Sequence, residues 1–146
     1  MEVKEVLSRW FAIYCSAKRY HWKTSSTVFM SDHLLFDRIA DTWSKKLNDS
    51  IIEKYFMGAR RDLLNQVDTI FEDAVNYRAP DLECKSVADS TKMCLALYNI
   101  VDELVKGIQE CDAEDRGTNA ELDMVAANAS EAKGLLSGRI AYKAEE

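Results

Sequence analysis

Proline is almost absent from this chain: Pro80 is the only one in 146 residues, and five glycines accompany it. With so little turn punctuation, and with no segment of sustained apolar and polar alternation, neither hairpins nor half-buried strands are expected. The sequence reads as all-α. Long apolar runs are also missing. The longest, Trp10 to Cys15, covers six residues, against the roughly 20 that a membrane-spanning helix requires. Glu2, Lys4 and Glu5 stand where a signal peptide would need an apolar stretch. The expectation is a cytoplasmic protein with no membrane partner.

Basic residues are outnumbered, 19 against 25 acids, for a net charge of -6. That balance argues against an electrostatic grip on nucleic acid. The four cysteines, Cys15, Cys84, Cys94 and Cys111, show no CxxC spacing. They read as core thiols in a reducing compartment, with a zinc site or a disulfide as the alternatives. At 47% hydrophobic and 30% charged residues, the chain can bury one good core and is too short for two. Residues 1–146 are therefore expected to form a single domain.

What the sequence does contain is helical periodicity. Val3, Leu7, Trp10, Tyr14 and Ala17 recur at steps of three and four, and His21 continues the stripe. Ser25, Ser26 and Thr27 offer N-cap oxygens for a second helix, from about Val28 to about Met57 and ending near Gly58. Such a helix would be roughly 45 Å long. A shorter amphipathic segment runs from Asp62 to about Tyr77, carrying Leu63, Val67, Ile70, Phe71 and Ala74, and stops ahead of Pro80. Ser86 with Asp89 resembles a capping box, after which Val87, Cys94, Val101 and Ile108 recur every seventh residue with Leu97 and Leu104 between them. The stretch from Asp112 to Gly117 ends this third long helix. Thr118 with Glu121 suggests another capping box, opening a fourth helix with Leu122, Val125, Ala129, Ala132 and Leu136. The long connection between helices two and three implies a crossover along the bundle. The predicted architecture is a ferritin-like four-helix bundle with a short additional helix in that crossover.

His21 and His33 are the only two histidines, and Asp37 falls four residues after the second. On a regular helix His33 and Asp37 lie about 40° apart and share a face, which Asp41 continues. His21 reaches them if helices one and two pack as a hairpin. Imidazole beside carboxylate is metal-ligand chemistry. The alternative is a buried histidine bonded to a backbone carbonyl and a surface histidine beside a surface aspartate. Asp49 and Glu53 form a second i, i+4 carboxylate pair. They are too far along one helix, about 30 Å from His33 to Glu53, to share its ion within one chain. Two second helices crossing antiparallel about a two-fold axis would bring those ends together.

His21 and Trp22, then His33 twelve residues on, then Asp37 four beyond, resemble the ferroxidase signature of the Dps-type miniferritins, the DNA-starvation proteins of the ferritin superfamily. Asp115, Arg116, Gly117 and Thr118 are similar to that family's turn into its last helix, and the helix order also resembles it. The likeness implies a homo-oligomer, a two-fold dimer within a dodecameric shell. It implies oxidation of ferrous iron by peroxide or oxygen at sites between subunits, with storage of the ferric product inside. By residue matching, His21, His33 and Asp37 would be the catalytic and metal-binding side chains of one subunit.

The family's carboxylate pair begins eleven residues after the first Asp, where this chain carries Asn48 and Ile52. Asp49 and Glu53 have the chemistry but stand one residue late, about 120° around a regular helix from Asp37. Either a π-bulge absorbs the extra residue, or the site has lost its carboxylate half, leaving three ligands with Asp41 or Asn48 in support. Many members of the family bind DNA through a lysine-rich extension before the first helix, whereas here periodicity starts by Val3 with two acids nearby, so no DNA binding by that route is expected. Glu121 and Asp123, near Asp112, Glu114 and Asp115, would correspond to acids of an iron-entry pore, or form an acidic turn favoured by the helix dipole. Trp22 is either an electron donor to stray oxidants or a core residue. Two functions follow: an iron-oxidising miniferritin, or a Dps-like bundle with a degenerate metal site that serves a structural or interaction role without ferroxidase activity.

Overall fold

Helix α1 (Val3–Lys23) forms because Val3, Val6, Leu7, Trp10, Ile13, Ala17 and Tyr20 fall on one stripe, and all of them are buried. The computed structural model describes residues 1–25 and 29–142, so the proposed capping positions Ser26 and Thr27, and Val28, lie outside the described residues. Ser25, the remaining cap candidate, instead donates its hydroxyl to the carbonyl of Cys84.

The single second helix is not formed. In its place stand α2 (Phe29–Ala40) and α3 (Lys45–Lys54), and α3 runs on into a π-helical turn over Tyr55–Ala59. The break has local causes. The Thr42 hydroxyl turns back to the carbonyl of Ile39 at 2.7 Å, and Ser44 caps α3 by accepting from the Leu47 N–H at 3.1 Å. Between them Trp43 packs on α1, with ring centroids 5.2 Å from Phe11, 5.0 Å from Tyr14 and 6.2 Å from Trp10. Asn128 of the last helix donates to the freed carbonyl of Thr42 at 3.1 Å. Three aromatic contacts and a cap outweigh the few helical hydrogen bonds surrendered.

Residues 60–86 form the crossover. The amphipathic segment expected there is a 3-10 stretch, Arg61–Thr69, that passes into α4 (Ile70–Asn76). The chain then lies along α1, held by the Ala79 N–H to Ser16 Oγ (2.9 Å), Arg19 to the Ala79 carbonyl (2.9 Å) and the Tyr20 hydroxyl to the Pro80 carbonyl (2.7 Å). Helix α5 (Val87–Gln109) starts at the expected cap, where Ser86 Oγ accepts from the Asp89 N–H, and it buries Cys94, Leu97, Val101, Leu104 and Ile108.

The cap of α6 (Arg116–Ala141) is corrected: Asp115, not Thr118, accepts from the Thr118 N–H at 3.0 Å. Thr118 is itself buried in the first turn. The predicted stripe Leu122, Val125, Ala129, Ala132 and Leu136 faces the core. Packing of α1 on α2 and α5, α5 on α6, and α6 on α3 makes a four-sided all-α bundle, with α4 lying against α1. Among the described residues there is no strand, and no helix is long and apolar enough to cross a membrane.

Candidate metal centre

The last turns of α1 and the first turns of α2 meet as the two strokes of a hairpin, bringing Lys18 and His21 against Phe29, His33 and Asp37. The two histidines are bonded reciprocally. His21 Nδ1 lies 2.7 Å from the carbonyl of His33, and His33 Nδ1 lies 2.6 Å from the carbonyl of His21. A carbonyl oxygen only accepts, so each Nδ1 carries a proton, and a neutral ring held this way has its lone pair on Nε2. The rings stack with centroids 3.7 Å apart and planes 17° apart, and Phe29 stacks on the outer face of His33 at 4.9 Å.

An imidazole that ligates through one nitrogen is commonly held through the other, and here each ring is held through Nδ1. The third predicted residue is present but engaged. Asp37 Oδ1 stands 4.0 Å from His21 Nε2 and accepts from Lys18 Nζ at 2.7 Å. That hydrogen bond holds the Asp37 carboxyl below its ordinary range and raises the Lys18 ammonium in turn. With stacked rings and a carboxylate directed to lysine, no group of three or more His, Cys, Asp or Glu among the described residues is disposed to hold a metal ion. As a donor set, two imidazoles and a nearby carboxylate suit ferrous iron. The set is incomplete until Asp37 leaves Lys18 or carboxylates come from elsewhere.

Asp49 and Glu53 do not join the histidines within the chain. On α3 the inward stripe is Leu47, Asn48 and Ile51, so both acids stand exposed, in a shallow groove with Lys45, Lys46 and Ser50. The irregularity between Asp37 and Asp49 is a four-residue break rather than a π-bulge, and the π turn lies after Glu53. Asn48 is 2% exposed, and its Oδ1 is a buried acceptor with no hydrogen-bond partner. Ile52 packs against the core. The two positions that match the family's carboxylates therefore carry an inward amide and an apolar side chain. Asp41 is exposed in the turn beyond α2.

The acids near the last helix serve local structure. Glu121 accepts from Ser50 Oγ and Lys54 Nζ, both at 2.6 Å. Asp112 accepts from the Glu114 N–H and from Asn119, and Glu114 takes a left-handed conformation with φ 56°. Asp123 is exposed. Trp22 is no core residue: it is 71% exposed, as Met30 and Leu34 of α2 are also exposed. All four cysteines are free, Cys84 and Cys94 buried, Cys15 and Cys111 half-buried.

One group beside the site carried no sequence signal beyond an aspartate among apolar residues. Asp32, immediately before His33 and 1% exposed, receives Arg139 in a bidentate pair, Nε to Oδ1 at 2.8 Å and Nη2 to Oδ2 at 3.0 Å. Ser90 also donates to it, and Arg139 Nη1 reaches Thr91 Oγ1 at 3.3 Å.

No protein-family model matches this chain, and no curated protein sequence matches it significantly.

Proposed function

We propose that this protein is a Dps-like, ferritin-like bundle that takes up Fe(II) through His21 and His33 and oxidises it at a site completed by a second copy of the chain. The observation that carries this reading is the reciprocal bonding of the two histidines, which engages both Nδ1 atoms with carbonyls and leaves Nε2 of each ring as the nitrogen available to a metal. The exposed apolar side chains of Trp22, next to His21 in the sequence, and of Met30 and Leu34, on the helix of His33, support a partner surface on these two helices. Exposed Asp49 and Glu53 are free to serve a neighbouring subunit, as no site inside the chain uses them. Asp37 contributes once released from Lys18.

In the reaction, two Fe(II) ions each give one electron to a molecule of hydrogen peroxide, whose O–O bond breaks as two protons complete two molecules of water. With oxygen as the oxidant, four Fe(II) ions give four electrons and four protons complete two molecules of water. Carboxylate oxygens favour the ferric product, and the imidazoles hold the ferrous substrate. Storage of that product would require a closed assembly of many copies.

A second reading is favoured by specific contacts. The Lys18–Asp37 ion pair and the inward Asn48 suit a bundle of the same shape whose metal site is degenerate and whose role is structural. Aerobic addition of Fe(II), followed by ferric absorbance with wild type and His33→Ala, separates the two. Loss of the rate in the variant supports the first, and equal rates remove it. Native sizing adds the condition that the active species contains more than one chain.

A further inference from the structure

We infer that the buried Asp32–Arg139 pair is a positioning device that sets the rotation of α2 and thereby the geometry of the His21–His33 pair. Its bearing on iron chemistry rests on the function proposed above, but its effect on the histidines does not. Asp32 and His33 are successive residues, so on α2 their side chains point about 100° apart. Asp32 faces the start of α5 and the end of α6, where Arg139, Ser90 and Thr91 gather, and His33 faces the end of α1. A guanidinium gripping both carboxylate oxygens fixes direction as well as distance, which a single-point contact does not. With Asp32 1% exposed and the Arg139 side chain 10% exposed, the grip is dry and resists exchange with water.

The histidine contacts depend on that grip. Each Nδ1–H meets a carbonyl on the opposite helix at 2.6–2.7 Å, so a small turn of α2 about its axis opens both bonds at once. Once they open, neither ring has its tautomer fixed, and neither Nε2 is held as the free nitrogen. Asp32 and Arg139 touch neither ring and donate nothing to a metal. They act through the backbone of His33.

The test uses Arg139→Gln, Arg139→Lys and Asp32→Asn, with Leu104→Ala as a core variant of comparable stability loss placed away from the site. The metal-free readout is the nitrogen chemical shifts of both imidazole rings. Wild type and Leu104→Ala are expected to show the fixed Nδ1–H form, and Arg139→Gln and Asp32→Asn an averaged one. Arg139→Lys keeps the charge without the fork and should fall between them, and it serves if Arg139→Gln does not fold. The second readout is Co(II) titration followed by the visible ligand-field bands. Affinity is expected to drop about tenfold or more in the Arg139 variants and to stay within twofold in Leu104→Ala. Fixed tautomers in every folded variant, or equal changes in Leu104→Ala, would overturn the inference. Absence of Co(II) binding by wild type would count against the metal reading alone, and the ring shifts would still decide the positioning role.

Discussion

His21 and His33 lie with their rings 3.7 Å apart, each donating Nδ1–H to the other's backbone carbonyl across the α1–α2 hairpin. Either histidine alone would be an ordinary half-buried side chain. Together they form a unit in which both Nδ1 atoms are engaged and Nε2 is the remaining nitrogen of each ring. Replacing either ring with alanine removes one hydrogen bond of about 0.5–1.5 kcal/mol, together with the stacking. The expected loss of stability in His21→Ala or His33→Ala is therefore about 1–2 kcal/mol, as read by urea denaturation. A double variant that loses the full sum of the two would show that the rings do not interact.

Lys18 is the competitor for Asp37. In Lys18→Met the carboxylate is released, and Co(II) or Fe(II) binding should tighten severalfold while stability changes by less than about 1 kcal/mol, because the pair is partly exposed. The sign with pH is also set. The lysine hydrogen bond lowers the Asp37 carboxyl in the folded state, so its contribution is present above the unfolded pKa and is lost as pH falls through the lower folded value. Acid titration of the wild type should show this loss, and Lys18→Met should lack it. Weaker metal binding in Lys18→Met would mean that the lysine supports the site.

Alkali should act through Cys94. Burial pushes this thiol from 9.0 up to about 12, and burial pushes the Tyr20 phenol from 10.0 up to about 12. Both groups stay protonated in the fold above the pH at which the unfolded chain releases those protons. Stability is thus intact below about pH 9 and declines as pH rises toward 12. Thermal melts across that window should fall, and Cys94→Ala should show a shallower decline. In native protein at neutral pH, Cys94 should resist thiol reagents that label half-buried Cys15 and Cys111. Rapid labelling of Cys94 would contradict its burial.

The break between α2 and α3 should be visible in cap energetics. Ser44→Ala removes the acceptor for the Leu47 N–H, at a cost of about 1 kcal/mol. Were residues 41–44 part of a continuous helix, the same change would be neutral or stabilising, because alanine is the better helix former. Guanidinium titration of the two proteins distinguishes these outcomes.

Arg139→Met leaves a buried carboxylate without its counter-ion and should cost about 3–5 kcal/mol. Removing both charges, as Asp32→Leu with Arg139→Met, should recover most of that loss, since a packed apolar pair avoids the desolvation of both ions. A double variant no more stable than the single would show that packing around the pair, rather than the stranded charge, sets the cost.

Elements set by a long apolar period were legible in the sequence. The stripes of α1, α5 and α6 appear in the fold with most of their residues buried, because burial of Leu7, Trp10, Leu104 and Leu136 requires the spacing that predicts them, while Tyr14, His21 and Val87 are only half-buried. The division of the second helix was not legible. It depends on Trp43 finding Phe11 and Tyr14, a contact between segments that local periodicity does not record. The cap of α6 was misplaced by three residues, since Asp115 and Thr118 are both good caps and only tertiary burial of Thr118 decides between them.

At the site, His21 and His33 stack and Asp37 stands 4.0 Å from His21 Nε2, a proximity that the sequence spacing suggested. Lys18 as the partner of Asp37, and Asp32 as the buried anchor next to His33, depend on side chains from α1, α5 and α6 and left no trace in the motif. Asn48 turns inward and Asp49 outward on α3, as the motif spacing with Asn48 at the first carboxylate position indicates.

Anomalous diffraction from Fe(II)-soaked crystals, grown without oxygen and measured at the iron edge, tests the central claim most directly. The account predicts an iron peak within bonding distance of the Nε2 atoms of His21 and His33, with carboxylates from a second copy of the chain completing the shell. Iron bound elsewhere, or no iron at these two histidines in a crystal that contains the assembled protein, would contradict it.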